Sequence, residues 1–112
     1  MEEFMELEEK LADPEEQNLL KSHLQKLGGT NFVDHMKRAM LRTMSNKLMS
    51  VMNVDGRNGK VSFKNTRLFT VVSECVLSQD ENATETSFKK ELGTFLKYAP
   101  DRQGGRGRKK IS

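Results

Sequence analysis

The sequence predicts an all-α fold: a compact bundle of five to six short helices with an acidic N-terminal helix and a disordered basic C-terminal tail. Apolar residues recur every three or four positions, which is the period of a helix. Cap residues, a proline and a glycine pair divide this pattern into short segments. The 112 residues suffice for one domain with its own core. We expect an acidic N-terminal helical pair over 1–27, a helical core over 30–100 and a flexible basic tail over 101–112.

Two helices are predicted in the N-terminal pair. The first runs from Glu2 to Ala12, and its apolar residues fall on one stripe: Phe4, Leu7 and Leu11. The second starts at Asp13-Pro14-Glu15-Glu16, which combines a cap residue, a proline at the first helical position and acid in the first turn. Leucines at helical spacing continue until Gly28-Gly29 ends the helix.

A third helix is predicted to begin near Thr30 or Asn31, with methionines on its buried face. Ser45 is either a hinge or a new cap, after which the apolar stripe continues. The methionines at this helical spacing are Met36, Met40, Met44, Met49 and Met52. Flexible thioether side chains are typical of core filling, and the alternative is a Met-rich groove that binds a partner helix.

Two further helices are predicted after a polar loop. Asn65 or Thr66 caps the first, whose buried face consists of Leu68, Val72, Cys75 and Val76. Thr84 caps the second, and Pro100 ends it. Its core stripe consists of Phe88, Leu92, Phe95, Leu96 and Ala99. From Asp101 onward the chain is rich in glycine and basic residues, so we expect it to be disordered.

The loop from Asn53 to Lys64 has three interpretations. It looks like a calcium loop, but no alignment puts acidic ligands at its first and last positions, and Asp55 is its one carboxylate. As a tight connection it would need positive backbone dihedrals at Gly56 and Gly59. In the third interpretation the glycines expose backbone amides to phosphate, with the basic residues of the loop alongside.

No residue set predicts catalysis, and we expect no enzymatic activity, cofactor, metal or small-molecule substrate. His23 and His35 have no cysteine or second histidine at zinc-ligand spacing, so each is interpreted as a surface or partly packed side chain. Cys75 lies on an apolar stripe, where a small buried hydrophobe is the expected role. The N-terminal carboxylates suit a solvated helix face and need no acid–base role.

Charge is segregated along the chain, although the net charge is only +3. Residues 1–16 hold eight acids and one lysine, whereas residues 37–67 hold eight basic residues against Asp55 alone. A positive pole of this kind suits polyanions. The tail adds further cations, which would either release counterions from nucleic acid or act as a nuclear-import signal.

Three features of the sequence bear on the cellular location of the protein. No apolar run approaches the length of a membrane span, and the acidic start is the opposite of a basic signal-peptide start. The single cysteine cannot form an intramolecular disulfide, which fits a reducing compartment. We expect an intracellular, nuclear protein that makes no membrane contact.

Short motifs spread over almost the whole chain resemble those of one family. They are Leu7-Glu8-Glu9-Lys10-Leu11, Leu27-Gly28-Gly29, Met52-Asn53-Val54-Asp55-Gly56 with Gly59-Lys60, Phe63, the helix from Leu68 to Val76, Ala83-Thr84-Glu85, and Tyr98-Ala99-Pro100-Asp101-Arg102 before Gly104-Gly105-Arg106. The set resembles an uncharacterised domain of unknown function near the C-terminal ends of fish and arthropod proteins associated with mobile elements. At Val54 the family often has tryptophan, so this chain lacks an aromatic for stacking there.

Residues 33–102 also resemble a distant version of the BEN domain, a helical module of DNA-binding and chromatin-repressor proteins. The shared features are a loop with asparagine and glycine, followed by two helices that end in basic residues. This resemblance implies that the last helix and the tail lie in or along a DNA groove. On this chain it points to Lys89, Lys90, Lys97, Arg102 and the tail cations.

We therefore predict a non-enzymatic nucleic-acid-binding module, with DNA or chromatin as the expected target and RNA as the alternative. The predicted contacts are Arg57, Lys60, Lys64, Arg67, Lys89, Lys90, Lys97, Arg102, Arg106, Arg108, Lys109 and Lys110. The alternative is a protein–protein interaction or homo-oligomerisation domain of a mobile-element-derived protein. In either case residues 1–16 could mimic DNA and cover the basic surface of the same chain.

Overall fold

Helices account for most of residues 1–102, the part of the chain that this computed structural model describes. Six α-helices run through this part: α1 (Glu2–Lys10), α2 (Pro14–Gln25), α3 (Phe32–Thr43), α4 (Asn46–Met49), α5 (Arg67–Gln79) and α6 (Glu85–Lys97). Between α4 and α5, two short strands pair in parallel: β1 (Met52–Asn53) and β2 (Val61–Ser62). The predicted all-α class is confirmed. None of these helices combines the length and the apolar character that crossing a bilayer requires.

Side-chain caps decide where the helices begin. The caps are Asp13, Asn31, Ser45, Thr66 and Thr84, and each accepts a hydrogen bond from a backbone amide in the first turn. Such a bond satisfies an amide that has no partner within the helix. Thr84 and Ser87 cap each other reciprocally at the start of α6. The predicted helix starts are therefore confirmed, and Ser45 is a new cap rather than only a hinge.

Helix α5 lies at the centre of the core, packed against α2, α3 and α6. The four residues predicted for its buried face are all buried: Leu68, Val72, Cys75 and Val76. The stripe predicted for the last helix is buried as well. Burial raises the pKa of the Cys75 thiol, against a smaller opposing effect of Lys21. The expected role of Cys75 as a small buried hydrophobe is confirmed.

The five methionines at helical spacing are core residues. Met36, Met40, Met49 and Met52 have no exposed surface, and Met44 is only 5% exposed. They fill the space between α3, α4 and the two strands with flexible side chains. The alternative of a Met-rich groove open to a partner helix is wrong, because four of these side chains have no exposed surface and Met44 keeps only a small one.

The N-terminal helical pair shares its core with the rest of the domain. Phe4, Leu11 and Leu24 are buried in the same apolar cluster as the residues of α3, α5 and α6. His35 on α3 joins this packing, because its Nε2 lies 3.0 Å from the carbonyl oxygen of Leu24. The prediction of a surface or partly packed side chain holds for His23, which is exposed, but is wrong for His35, which is buried.

The first two residues of the predicted tail, Asp101 and Arg102, are structured. After α6 the chain makes a 3₁₀ turn over Ala99–Asp101, and Ala99 is buried. Arg102 then packs against the body of the domain through its guanidinium group. Pro100 therefore lies inside a turn that follows the helix, and the expectation of disorder from Asp101 is wrong for the first two residues.

Candidate nucleic-acid interface

The loop between β1 and β2 is folded by its own side chains and glycines. The Asn53 side-chain oxygen accepts hydrogen bonds from the backbone amides of Gly56 and Arg57. Gly56 and Gly59 have φ values of +80° and +75°, as the tight-connection interpretation requires. A Cβ on Gly56 would also lie 2.9 Å from the Cβ of Ser62. The exposed-amide interpretation is wrong for Gly56 and Arg57, because Asn53 already engages both amides.

Asp55 lies among cations from the loop and from α6. Its carboxylate is 3.0 Å from the Lys64 ammonium nitrogen and 3.6 Å from a guanidinium nitrogen of Arg57. The hydrogen bond and the charge of Lys64 lower the pKa of Asp55, and the charges of Arg57 and Lys89 lower it further. A Cβ built on Gly93 of α6 would lie 3.7 Å from the Val54 side chain, so the middle of α6 is close to the loop.

A shallow depression of about 450 Å³ lies between this loop and α6. The residues around it are Val54 and Asp55 from the loop, with Lys89, Lys90, Gly93, Thr94 and Lys97 from α6. The α6 residues are spaced by one and two helical turns, so they lie on one side of the helix. Lys89 pairs with Glu85 at 3.2 Å, while Lys90 and Lys97 are exposed to solvent.

Five of the predicted phosphate contacts come together around this depression, and we call them the basic face: Arg57, Lys64, Lys89, Lys90 and Lys97. Within residues 1–102, the carboxylates that pair with its members are Asp55 and Glu85. The five cations outnumber these two anions. Cations from two distant segments of the chain therefore form one positive surface with exposed charge, which can attract a polyanion.

Lys60 neither borders this depression nor forms an ion pair within the described part of the chain. Its neighbours Gly59 and Val61 line a second depression of about 570 Å³ that runs beside α1. The walls of this apolar groove include Phe4, Leu7, Met44, Leu48 and Val51. Val51 is 44% exposed, so apolar surface is accessible there. The groove is a different kind of surface from the basic face.

Arg67 is held by the acidic N-terminal helix. The Glu8 carboxylate accepts hydrogen bonds from the backbone amides of Arg67 and Leu68, each at 2.8 Å, and so caps α5 from outside. The Arg67 guanidinium donates to the Glu8 carbonyl oxygen at 3.0 Å. A carboxylate at this position also interacts favourably with the helix dipole. We therefore assign Arg67 to the contact between α1 and α5 rather than to the basic face.

The acidic segment does not cover the basic face in the described part of the chain. Within residues 1–102 no ion pair joins residues 1–16 to Arg57, Lys64 or the lysines of α6. The acidic segment instead contributes Glu8 to the start of α5. Of the predicted phosphate contacts, the acidic segment therefore binds Arg67, and it leaves the basic face uncovered in residues 1–102.

Arg102 is half-buried, and its guanidinium group binds the fold. Its Nε donates to the Asn46 side-chain oxygen at 2.7 Å, and one Nη donates to the Phe95 carbonyl oxygen at 2.6 Å. The guanidinium carbon lies 3.8 Å from the centre of the Phe95 ring, and burial lowers the pKa of the group. The prediction that Arg102 contacts nucleic acid does not fit this geometry, since its donors bind α4 and α6.

The remaining predicted contacts are Arg106, Arg108, Lys109 and Lys110, which lie outside the described residues. One feature of the site was missed from the sequence, namely the depression itself. A glycine in the middle of a lysine-bearing helix was the available signal, because glycine is unfavourable there unless something needs the space.

A search for metal-binding clusters and comparisons with known proteins gave no further indication of function. No three His, Cys, Asp or Glu side chains of residues 1–102 come close enough together to hold a metal ion. No family model, no curated protein and no solved structure matches the chain. The two family resemblances described above therefore stay predictions, and any assignment of function depends on the geometry of the surface.

Proposed function

We propose that the protein is a non-enzymatic nucleic-acid-binding module that contacts the phosphates of duplex DNA through its basic face. The supporting observation is the convergence of Arg57 and Lys64 with the three lysines of α6 around one shallow depression. A shallow surface of this kind suits an extended polyanion better than an enclosed small molecule. The tail cations would add sequence-independent affinity.

The phosphate mechanism predicts a salt dependence with a definite origin. Each neutralised phosphate of duplex DNA contributes about −0.9 to the slope of log K against log salt concentration. Binding of the full chain to a fluorescein-labelled duplex, followed by anisotropy, should therefore weaken steeply between about 50 and 200 mM salt. Affinity that does not change over this range would contradict the proposal.

A pair of charge-matched variants locates the contacts. Lys90→Ala/Lys97→Ala removes two exposed cations of the basic face and should reduce the salt slope by roughly 2. Lys26→Ala/Lys37→Ala removes the same charge from exposed positions on α3 and beyond the end of α2, outside the basic face. Equal losses in the two variants would indicate nonspecific attraction by net charge and would contradict a defined face.

A second candidate is a protein-interaction or homo-oligomerisation module. It is supported by the apolar groove beside α1, where Val51 is 44% exposed and Met1 is 53% exposed. Light scattering of the full chain tests it: a stable dimer that Val51→Glu converts to a monomer would favour this function. A monomer at all concentrations, with salt-dependent DNA binding, would favour the first.

A further inference from the structure

Gly93 lies half-buried near the middle of α6, a position where glycine is costly. Glycine is among the residues least favourable to a helix, because it loses the most backbone freedom on folding. Helix α6 runs over Glu85–Lys97 and places Gly93 more than a turn from either end. A glycine kept at such a position needs a reason other than helix formation.

Neither the backbone nor the packing of the described chain supplies that reason. Gly93 is not among the residues with positive φ, so its conformation is open to any amino acid. A Cβ built on it would meet only the Cγ2 of Val54 at 3.7 Å, an ordinary van der Waals contact. Alanine would therefore fit without displacing a neighbour, and the missing side chain leaves space that no part of residues 1–102 fills.

The bare surface at Gly93 lies among three lysines. Lys89 and Lys90 precede Gly93 by four and three positions, and Lys97 follows it by four, so all three neighbour it on the helix surface. Helical side chains lean towards the N-terminus, so the patch that a side chain at 93 would cover lies over the turn with Lys89 and Lys90. The depression is thus lined by Gly93 and Thr94 of α6 and by Val54 and Asp55 of the loop, with the three lysines around it. The Asp55 carboxylate there is already paired with Lys64 and Arg57.

We propose that Gly93 forms a seat for one backbone phosphate of bound DNA. The phosphate lies against the bare helix surface, with Lys89 and Lys90 on one side and Lys97 on the other. The close approach leaves no room for a side chain, which accounts for glycine at this position. This inference rests on the proposed function and deepens it, because it identifies where on the basic face one phosphate lies.

The seat predicts that stability and affinity change in opposite directions. Gly93→Ala should raise the thermal midpoint by about 4 °C, because alanine favours the helix. Gly93→Gln fills the depression with an uncharged side chain. It should weaken duplex binding on the order of tenfold at about 0.1 M salt, the expected contribution of one phosphate contact. Gly93→Ala should weaken binding in the same direction by a smaller factor.

A matched control separates the seat from general stabilisation. Thr70→Ala is an exposed substitution in α5 that also favours a helix, and it should raise the midpoint without changing affinity. Lys97→Ala introduced into the Gly93→Gln background should cost little further affinity, because both changes remove the same phosphate. Full additivity of the two losses would contradict a shared seat.

The outcomes distinguish this inference from the proposed function. If the unaltered chain binds duplex DNA with a steep salt slope and Gly93→Gln binds equally well, the seat is refuted and the function stands. If the unaltered chain does not bind, both are refuted. A lower thermal midpoint for Gly93→Ala would show that packing requires the glycine, which overturns the premise. If Gly93→Gln weakened the binding of a polyglutamate peptide as much as the binding of duplex DNA, the site would not be specific for phosphate, and the assignment would be overturned.

Discussion

Two basic residues near the end of α6 have opposite roles although they are five positions apart. Lys97 is exposed and belongs to the basic face, whereas the Arg102 guanidinium lies 3.8 Å from the Phe95 ring and binds α4 and α6. The difference follows the chemistry of the side chains. The planar guanidinium of Arg102 stacks on the buried Phe95 ring and donates to two acceptors at once. The Lys97 ammonium lies 5.6 Å from the centre of the exposed Tyr98 ring and keeps its contact with solvent. Net charge alone therefore overestimates the cations available to a partner.

At the start of α5, an anion and a cation are likewise used within the fold and are not available to a partner. The Glu8 carboxylate is used to cap a helix, and the Arg67 guanidinium is used to hold the carbonyl group of Glu8. Both residues looked like surface charge in the sequence. On the basic face, by contrast, five cations share two carboxylates, so positive charge remains there for a partner.

The largest expected change in stability comes from removing the Arg102 side chain. Arg102→Ala should lower the free energy of unfolding by about 2–3 kcal/mol, through lost charged hydrogen bonds and the lost stacking on Phe95. Arg102→Lys should recover less than half of this loss, because lysine lacks the fork of donors. Urea unfolding followed by circular dichroism measures both.

The comparison with Lys97 makes this prediction sharper. Lys97→Ala should leave the urea midpoint nearly unchanged while it weakens DNA binding, and folded Arg102→Ala should keep the salt slope of the unaltered chain. If Arg102→Ala reduced that slope by about 1, Arg102 would be a phosphate contact and the distinction between the two residues would fail.

A smaller effect is expected at the start of α5. Glu8→Ala should lower the free energy of unfolding by about 1–2 kcal/mol, because two backbone amides lose their acceptor and the helix dipole loses a favourable charge. Glu9→Ala changes an exposed neighbour and should have little effect. Equal midpoints for the two variants in urea would contradict the role of Glu8 as a cap.

The smallest effect concerns the anion within the basic face. Asp55→Asn should strengthen duplex binding by about two- to fivefold, because it removes a charge that repels phosphate and releases Arg57 and Lys64. The pKa of Asp55 is lowered, so its carboxylate stays charged and a change from pH 7 to about 5 should not reproduce the gain. Weaker binding of the variant would mean that Asp55 positions Lys64 for contact.

Local patterns made much of the fold predictable. Caps such as Ser45 and Thr84 act on amides within three residues, and apolar stripes report one helix face at a time. The positive φ values of Gly56 and Gly59 also followed from the composition of a short loop. Each of these features depends on neighbours along the chain, which is the information that a sequence contains directly.

Contacts between distant residues were not predictable in the same way. Nothing near Arg102 in sequence indicates Asn46, and nothing near Glu8 indicates the amides of Arg67 and Leu68. The burial of His35 likewise depends on the Leu24 carbonyl group of another helix. The candidate site was half predictable: charge identified its cations, but only packing shows which of them share a surface.

The contacts of Glu8 with α5 and of Arg102 with α4 and α6 have a consequence for local unfolding of the domain. Segments at the edge of a fold often fray, yet here residues 8 and 102 are both bound through charged groups to segments near the middle of the chain. Local unfolding of α1 would remove the Glu8 cap from α5, and local unfolding after α6 would break the bonds of Arg102 to α4 and α6. Amide protons of α1 and of the turn at Ala99–Asp101 should therefore exchange with solvent nearly as slowly as those of α5, as one cooperative unit.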